Sequence, residues 1–144
     1  MSYGIKAYKS VGVKDDLAVA DPHRIIQLLM QGALENMAKA KGFIERKDYS
    51  GKSTSLSKAM AIINSLQSCI DMKVGGEISD NLFSLYGFMH DHLIVASREM
   101  DANKVQDVMD LLLTIKSAWD QISVADREKA YNMQSQSSQG IGVA

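Results

Sequence analysis

Cysteine, proline and aromatic residues are scarce in this chain. A single cysteine, Cys69, among 144 residues excludes an internal disulfide framework and makes a reducing, cytoplasmic location the expectation. The one proline, Pro22, leaves everything behind it without a proline to break a helix. No apolar run approaches the roughly 20 residues that a membrane-spanning helix needs, so membrane insertion is not expected. The start, Met1 to Lys14, has no continuous apolar stretch of the kind a secretory signal carries. Charge of one sign is also missing. The 16 basic and 17 acidic residues are interspersed and leave a net charge of −1, which argues against a phosphate-tracking stripe and so against nucleic acid as a partner. What remains is ordinary: 46% hydrophobic and 23% charged residues, enough for one soluble domain with a real core.

Asp21 and Pro22 mark where an irregular leader, residues 1–20, gives way to helix. Asp21 suits an N-cap and Pro22 the first helical position, where a missing N–H costs nothing. The first helix is expected from Pro22 to about Arg46, on a stripe of Ile26, Met30, Ala33, Met37, Ala40 and Ile44. Ile25, Leu28, Leu29, Leu34 and Phe43 fall outside that stripe and widen the apolar arc. Asp48 to Lys52 reads as a turn. A second helix follows on Leu56, Ala59, Ile63, Leu66 and Ile70 and ends before Gly75 and Gly76, a pair suited to positive backbone dihedrals. The third starts near Glu77 and carries Ile78, Leu82, Leu85, Met89 and Ala96, with Phe83, Tyr86, Phe88, Leu93 and Ile94 on its flank. The segment Asp101 to Asn103 is a turn with cap chemistry. The fourth helix runs on Val105, Val108, Leu112, Ile115, Trp119 and Ile122, again widened by Met109, Leu111 and Leu113.

Four helices joined by short polar turns predict an all-α, antiparallel up-down four-helix bundle over residues 22–123. A short fifth helix over Asp126 to Met133 is a further expectation, from Ser123 followed three residues later by Asp126. The Ser- and Gln-rich tail, residues 134–144, is expected to be disordered.

Catalytic patterns are poor, and no enzyme activity, metal or cofactor is expected. His90 and His92 flank Asp91, but residues two apart on a helix point about 200° from each other and cannot share an ion there. No histidine follows a glutamate by three residues, as a ferritin-like centre requires. Cys69 lacks an activating cation and reads as an inert thiol. The glycine pair lacks the Lys-Ser/Thr of a phosphate loop. The nine methionines each suit core gap-filling, yet together they describe a surface that can remould around varied apolar helices.

Several stretches also resemble a known family. Ala7-Tyr8, the helix start Ala20-Asp21-Pro22-His23-Arg24-Ile25-Ile26, then Leu28, Leu29 and Gly32 are its first part. Gly75-Gly76-Glu77-Ile78 with Asn81-Leu82 and Leu85-Tyr86 are its most specific part, and Trp119 closes it. Together these resemble the flagellin-specific secretion chaperones, the FliS family, over about Ala7 to Ile122. One position departs: members usually continue the first helix as Leu-Tyr-Asp-Gly, where this chain reads Leu29-Met30-Gln31-Gly32.

The resemblance implies a cytoplasmic chaperone that holds the disordered C-terminal segment of flagellin in apolar grooves, keeps it from premature polymerisation and delivers it for export, with the flagellar export gate as a further partner. It also implies a leader able to lie over part of that surface. The side chains expected to meet the client are Ile25, Leu28 and Leu29 on the first helix, Leu82, Tyr86, Met89 and Leu93 on the third, and Met109 and Leu112 on the fourth, with Tyr8 as the leader's plug. For each of these aliphatics an internal core position is the equal alternative. Two other classes stay open: a histidine phosphotransfer domain using His90 or His92, and a structural homo-oligomer, a homodimer in the simplest case, in which the wide apolar faces close on one another.

Overall fold

The computed structural model describes residues 21–70 and 76–122, with Asp126 and Lys129 beyond them. Asp21 begins the first helix as read from the sequence: its backbone is extended, its carboxylate accepts the Arg24 N–H at 2.7 Å, and Pro22 follows at the first helical position. Four helices come in order, α1 (Pro22–Glu45), α2 (Tyr49–Ser68), α3 (Gly76–Glu99) and α4 (Ala102–Asp120), with no strand among the described residues. Each packs on the next and α4 returns to α1, which closes an up-down ring around one core. The α1–α2 contact is the most extensive and the α3–α4 contact the least.

Both hairpin turns use one device. At the end of α1, Lys47 adopts a left-handed backbone with φ of 57°, its N–H donates to the Ile44 carbonyl at 3.0 Å, and the Asp48 N–H donates to the Phe43 carbonyl at 2.8 Å. These are the paired bonds of a Schellman stop. At the end of α3, Met100 has φ of 53°, donates to Ser97 at 3.3 Å, and Asp101 donates to Ala96 at 3.0 Å. In each joint the aspartate then caps the next helix. Asp48 accepts from the Gly51 N–H at 2.9 Å, and Asp101 from Asn103 and Lys104 at 2.9 and 3.3 Å. The turn expected over Asp48 to Lys52 is therefore corrected: α2 already starts at Tyr49. Gly51 tolerates the helix because the Phe43 ring occupies the place of its side chain, where a Cβ would come within 2.5 Å.

α1 has neighbours on two sides, and its wide apolar arc is consumed by them. Leu29, Met30, Ala33, Met37 and Ala40 are 0–1% exposed, and Ile25, Leu28 and Leu34 are buried as well. Leu56, Ile62, Ile63, Met89, Leu93, Val105, Val108 and Leu112 complete the centre. On α3 the inward row is Leu82, Tyr86, Met89, Leu93 and Ala96, at steps of four, three, four and three. Ile78, expected in that seam, is 79% exposed, while Tyr86 and Leu93, expected on the flank, face inward. The helix carries apolar residues over so wide an arc that two choices of seam fit the period, and packing on α2 and α4 selects one. Ile70 and Ile122 lie just past the ends of α2 and α4. Gly76 opens α3 with φ of +55°, the positive dihedral expected of the glycine pair; Gly75 lies outside the described residues. So do the leader, the tail and the interior of the expected fifth helix, of which only Asp126 and Lys129 are described, both helical.

The ring is locked by a reciprocal clamp. The Trp119 indole Nε1–H donates to the His23 carbonyl at 3.0 Å, the His23 Nε2–H donates to the Trp119 carbonyl at 2.8 Å, and the two rings stack at 4.9 Å and 10°. One turn along, the Gln27 amide donates to Asp120 at 2.8 Å and Lys116 donates to the same carboxylate at 2.7 Å. The Lys116 bond, and after it that of Gln27, holds Asp120 below its ordinary carboxylate range against the opposing effect of desolvation. Across the bundle, the buried Lys52 on α2 donates to the Ser97 carbonyl in the last turn of α3 at 3.0 Å, where a cation also suits the negative end of the helix.

Two acids sit where their charged forms are disfavoured. Burial pushes the Tyr86 phenol above its ordinary value of 10.0 and the Cys69 thiol above 9.0. The unfolded chain therefore loses these protons first, and stability present below about pH 9 is lost as pH rises past it. Urea midpoints measured from pH 7 to 11 should fall above pH 9, and substituting Tyr86 by phenylalanine should flatten the fall.

Candidate partner-binding surface

With the core filled from α1 and α2, the apolar residues left outside sit mainly on α3 and α4. Phe83, Phe88 and Ile94 are 42%, 49% and 43% exposed, and Leu113 on α4 is 48% exposed. Singly such residues are unremarkable, but with Ile78 at 79% four share one helix. Half-buried Leu82, Leu85, Met109, Leu111, Ile115 and Trp119, also on α3 and α4, pack against the core.

The exposed residues of α3 divide between its two grooves. On the α4 side, Phe88 stacks on His92 at 5.1 Å, and His92 donates to Asp107 of α4 at 3.3 Å. On the α2 side, the Gln67 amide donates to the Phe83 carbonyl at 2.9 Å, and Ile94 lies on the same face as Phe83. His90 sits on this second face, half-buried, 3.5 Å from Asp91. The two histidines thus point to opposite grooves, and no cluster of three metal-ligating side chains exists among the described residues. A cleft of about 340 Å³ between α1 and α4 has a different character, lined by Arg24, Gln27, Leu28, Gln31, Lys116 and Asp120. Charge at its rim makes it a poor seat for an apolar helix.

The nine side chains expected to meet a client fall into two groups. Leu82 and Met109 are half-buried at the surface of the α3–α4 half. Ile25, Leu28, Leu29, Tyr86, Met89, Leu93 and Leu112 are internal, none more than 8% exposed. Their place is beneath the surface, not on it, because each lies in the row that its helix turns toward two neighbours. The outward residues Phe83, Phe88, Ile94 and Leu113 take the exposed positions instead. For the three on α3 the signal in the sequence is that they are the apolar residues left over once its inward row is set at 82, 86, 89, 93 and 96. Tyr8 lies outside the described residues.

The geometry gives a four-helix bundle with apolar side chains left at its surface, and comparison with known proteins assigns its family. Residues 4–126 match the family described as "Flagellar protein FliS". The chain belongs to the FliS family. It is 41% identical over 122 residues to the flagellar secretion chaperone FliS of Vibrio cholerae, covering 85% of this chain and 90% of that one. It is likewise 41% identical to the flagellar secretion chaperone FliSB of Pseudomonas aeruginosa, over 83% of this chain and 94% of the relative. The Salmonella typhimurium flagellar secretion chaperone FliS matches at 41% over 83% and 90% of the two chains. FliS membership carries a flagellar export chaperone role and sets the chain among chaperones and not among enzymes. No helix of the described residues is long and apolar enough to cross a membrane.

Proposed function

We propose that this protein is a cytoplasmic holder for the disordered C-terminal segment of flagellin, which it keeps unpolymerised and competent for export through the flagellar gate. The observation that carries this reading is the set of exposed apolar side chains on α3 and α4, Phe83, Phe88, Ile94 and Leu113, on a bundle whose core is already closed. Apolar area left in water has a cost, and a partner that covers it recovers about 25 cal/mol per Å². Half-buried Leu82 and Met109 extend the contact, and the internal Tyr86, Met89, Leu93 and Leu112 support it from beneath.

The energetics favour a long contact over a pocket. Ordering a disordered client costs roughly 2–5 kcal/mol, and association itself a comparable or larger amount. A few half-exposed anchors offset only part of that, so the client must fold against several of them along an extended surface. Calorimetry with a synthetic flagellin C-terminal peptide tests this. Stoichiometric binding with a negative heat-capacity change is expected, together with a gain of peptide helicity by circular dichroism. Absence of binding at 100 µM (about −5 kcal/mol or weaker) would remove the proposal.

The leader, with Tyr8 as its plug, is proposed to compete for the same surface. Deleting Met1 to Lys14 should therefore speed or tighten peptide binding. Equal or weaker binding in the same calorimeter would count against the plug. A homodimer through the apolar half is the second occupant of this surface, and sedimentation at low micromolar concentration separates it from peptide capture.

A further inference from the structure

Two helical glycines at the α1–α2 joint make room for side chains. A Cβ on Gly51 would come within 2.5 Å of the Phe43 ring, and one on Gly42 within 3.1 Å of the Arg46 guanidinium. The same guanidinium lies over the Phe43 ring, 5.0 Å from its centre. Gly51 thus seats the ring, and the ring together with Gly42 seats the arginine. Glycine inside a helix weakens it relative to alanine, so the joint gives up helix stability twice to hold one guanidinium in place. Arg46 itself is exposed and fills no core. A cation suits the C-terminal end of α1, but a lysine on a flexible stem would serve that end without a seat.

Two lysines stand beside it. Lys39 lies about two turns back on the same face of α1, and Lys47 follows Arg46 at the joint; both are exposed. Lys47 holds the left-handed backbone, φ 57°, where glycine is the usual residue. Its counterpart Met100 is half-buried against the core, so packing accounts for it. The exposed Lys47 has no such reason. Among the described residues no carboxylate pairs with Lys39, Arg46 or Lys47. Asp48 is engaged in capping α2, and Glu45 forms no ion pair with them. The wider charge distribution agrees. Residues 21–70 carry seven basic and four acidic side chains, and residues 76–122 carry three and eight. The α1–α2 hairpin is the positive half of the bundle, while the exposed Phe83, Phe88, Ile94 and Leu113 lie on the negative half.

We infer that the Arg46 site at the α1–α2 joint docks an acidic segment of a second partner protein, one carboxylate paired by the Arg46 fork and another, a few residues away, by Lys39 or Lys47. A planar guanidinium matches the two oxygens of a carboxylate, and the ring and Gly42 lower the entropy lost in ordering it. A long polyanion such as nucleic acid fits worse, because it would run on toward a hairpin with a surplus of acids. α1 packs on α2 and α4, which leaves α3 across the bundle. The acidic partner and a client on the outer face of α3 can therefore be held together.

Nitrogen-15 NMR titration of the full chain with a blocked peptide, acetyl-Gly-Glu-Glu-Asp-Glu-Gly-amide, at physiological ionic strength tests this. Saturable shifts are expected at the Arg46 Nε–H and at the Gly42 and Lys47 amides, and none when glutamine and asparagine replace the acids of the peptide. Arg46→Lys keeps the charge and loses the fork, and should weaken binding about threefold, the scale of an exposed ion pair. Gly42→Ala should melt no lower than the parent, alanine being the better helix former, yet weaken binding as much, because its methyl displaces the guanidinium. If Gly42→Ala melts lower, Arg46→Lys decides alone. Unchanged affinity in Arg46→Lys, or shifts spread evenly over all lysines and arginines, overturns the inference. Tighter binding of oligothymidylate at the same residues also overturns it, as does a dimer of the parent that Arg46→Lys dissociates. The flagellin C-terminal peptide should bind Arg46→Lys as it binds the parent; a parallel loss there would assign Arg46 to the client surface and overturn the second site.

Discussion

Replacing Phe83, Phe88 and Ile94 together by serine should weaken capture of the flagellin C-terminal segment about 100-fold while leaving the bundle folded. The expectation follows from exposure. Each side chain keeps 42–49% of its surface in water in the free protein, so covering the remainder recovers about half of the roughly 1.5–3 kcal/mol that complete burial is worth. Three such residues amount to about 3 kcal/mol, and each 1.4 kcal/mol is a factor of ten in Kd. Stability should fall by about 1 kcal/mol per site, because the half of each side chain already covered in the free protein is lost as well. Leu93→Ala is the contrasting variant. Leu93 is 0% exposed, and its truncation should cost about 2–5 kcal/mol of stability. Affinities from calorimetry and midpoints from urea unfolding would separate the two classes; a triple variant that binds as the parent does would mean that the client uses another face.

A second large effect on stability should come from Trp119. Trp119→Ala removes the stack on His23 and the indole hydrogen bond to the His23 carbonyl, and a loss of about 3 kcal/mol is expected from the range for truncating large aromatics. Domains of this size have roughly 5–15 kcal/mol in all, so the change would be plain in a denaturation curve. Trp119→Phe keeps a stacking ring but not the donor, and should lose about 1 kcal/mol for the bond, plus the smaller ring's share of packing. Equal losses for the two variants would mean that the hydrogen bond, and not the stack, holds the ring of helices closed.

Local chemistry made some of this fold legible in advance. Asp21-Pro22 and Asp101 announce helix starts because a cap is a contact between residues two or three apart. Asp48 is the same kind of cap, yet Ser50 and Gly51 behind it read as a turn, since the Phe43 ring that makes a helical glycine acceptable comes from the preceding helix. The stripe of α4 was clear because Val105, Val108, Leu112, Ile115, Trp119 and Ile122 keep an unbroken alternation of three and four residues. On α3 the period admits two seams, and only the neighbouring helices decide that Tyr86 and Leu93 turn in and Ile78 turns out. The same ambiguity governs the candidate site. Of the nine residues nominated for client contact, Leu82 and Met109 reach the surface, while Leu29, Met89 and the others in the core rows do not. A periodic pattern gives the width of an apolar arc, but which edge of the arc meets solvent depends on the angle at which helices pack.

The clamp between His23 and Trp119 joins residues 96 positions apart. On a translating ribosome, α1 must wait until nearly all of α4 has emerged before it gains that neighbour, whereas the two hairpins can assemble from contacts close in sequence. Closure therefore comes late in synthesis, and the nascent chain carries the unmatched side of α1 until then. Long-range closure of this kind is slow relative to hairpin formation. An export chaperone thus spends its own synthesis with an apolar face uncovered.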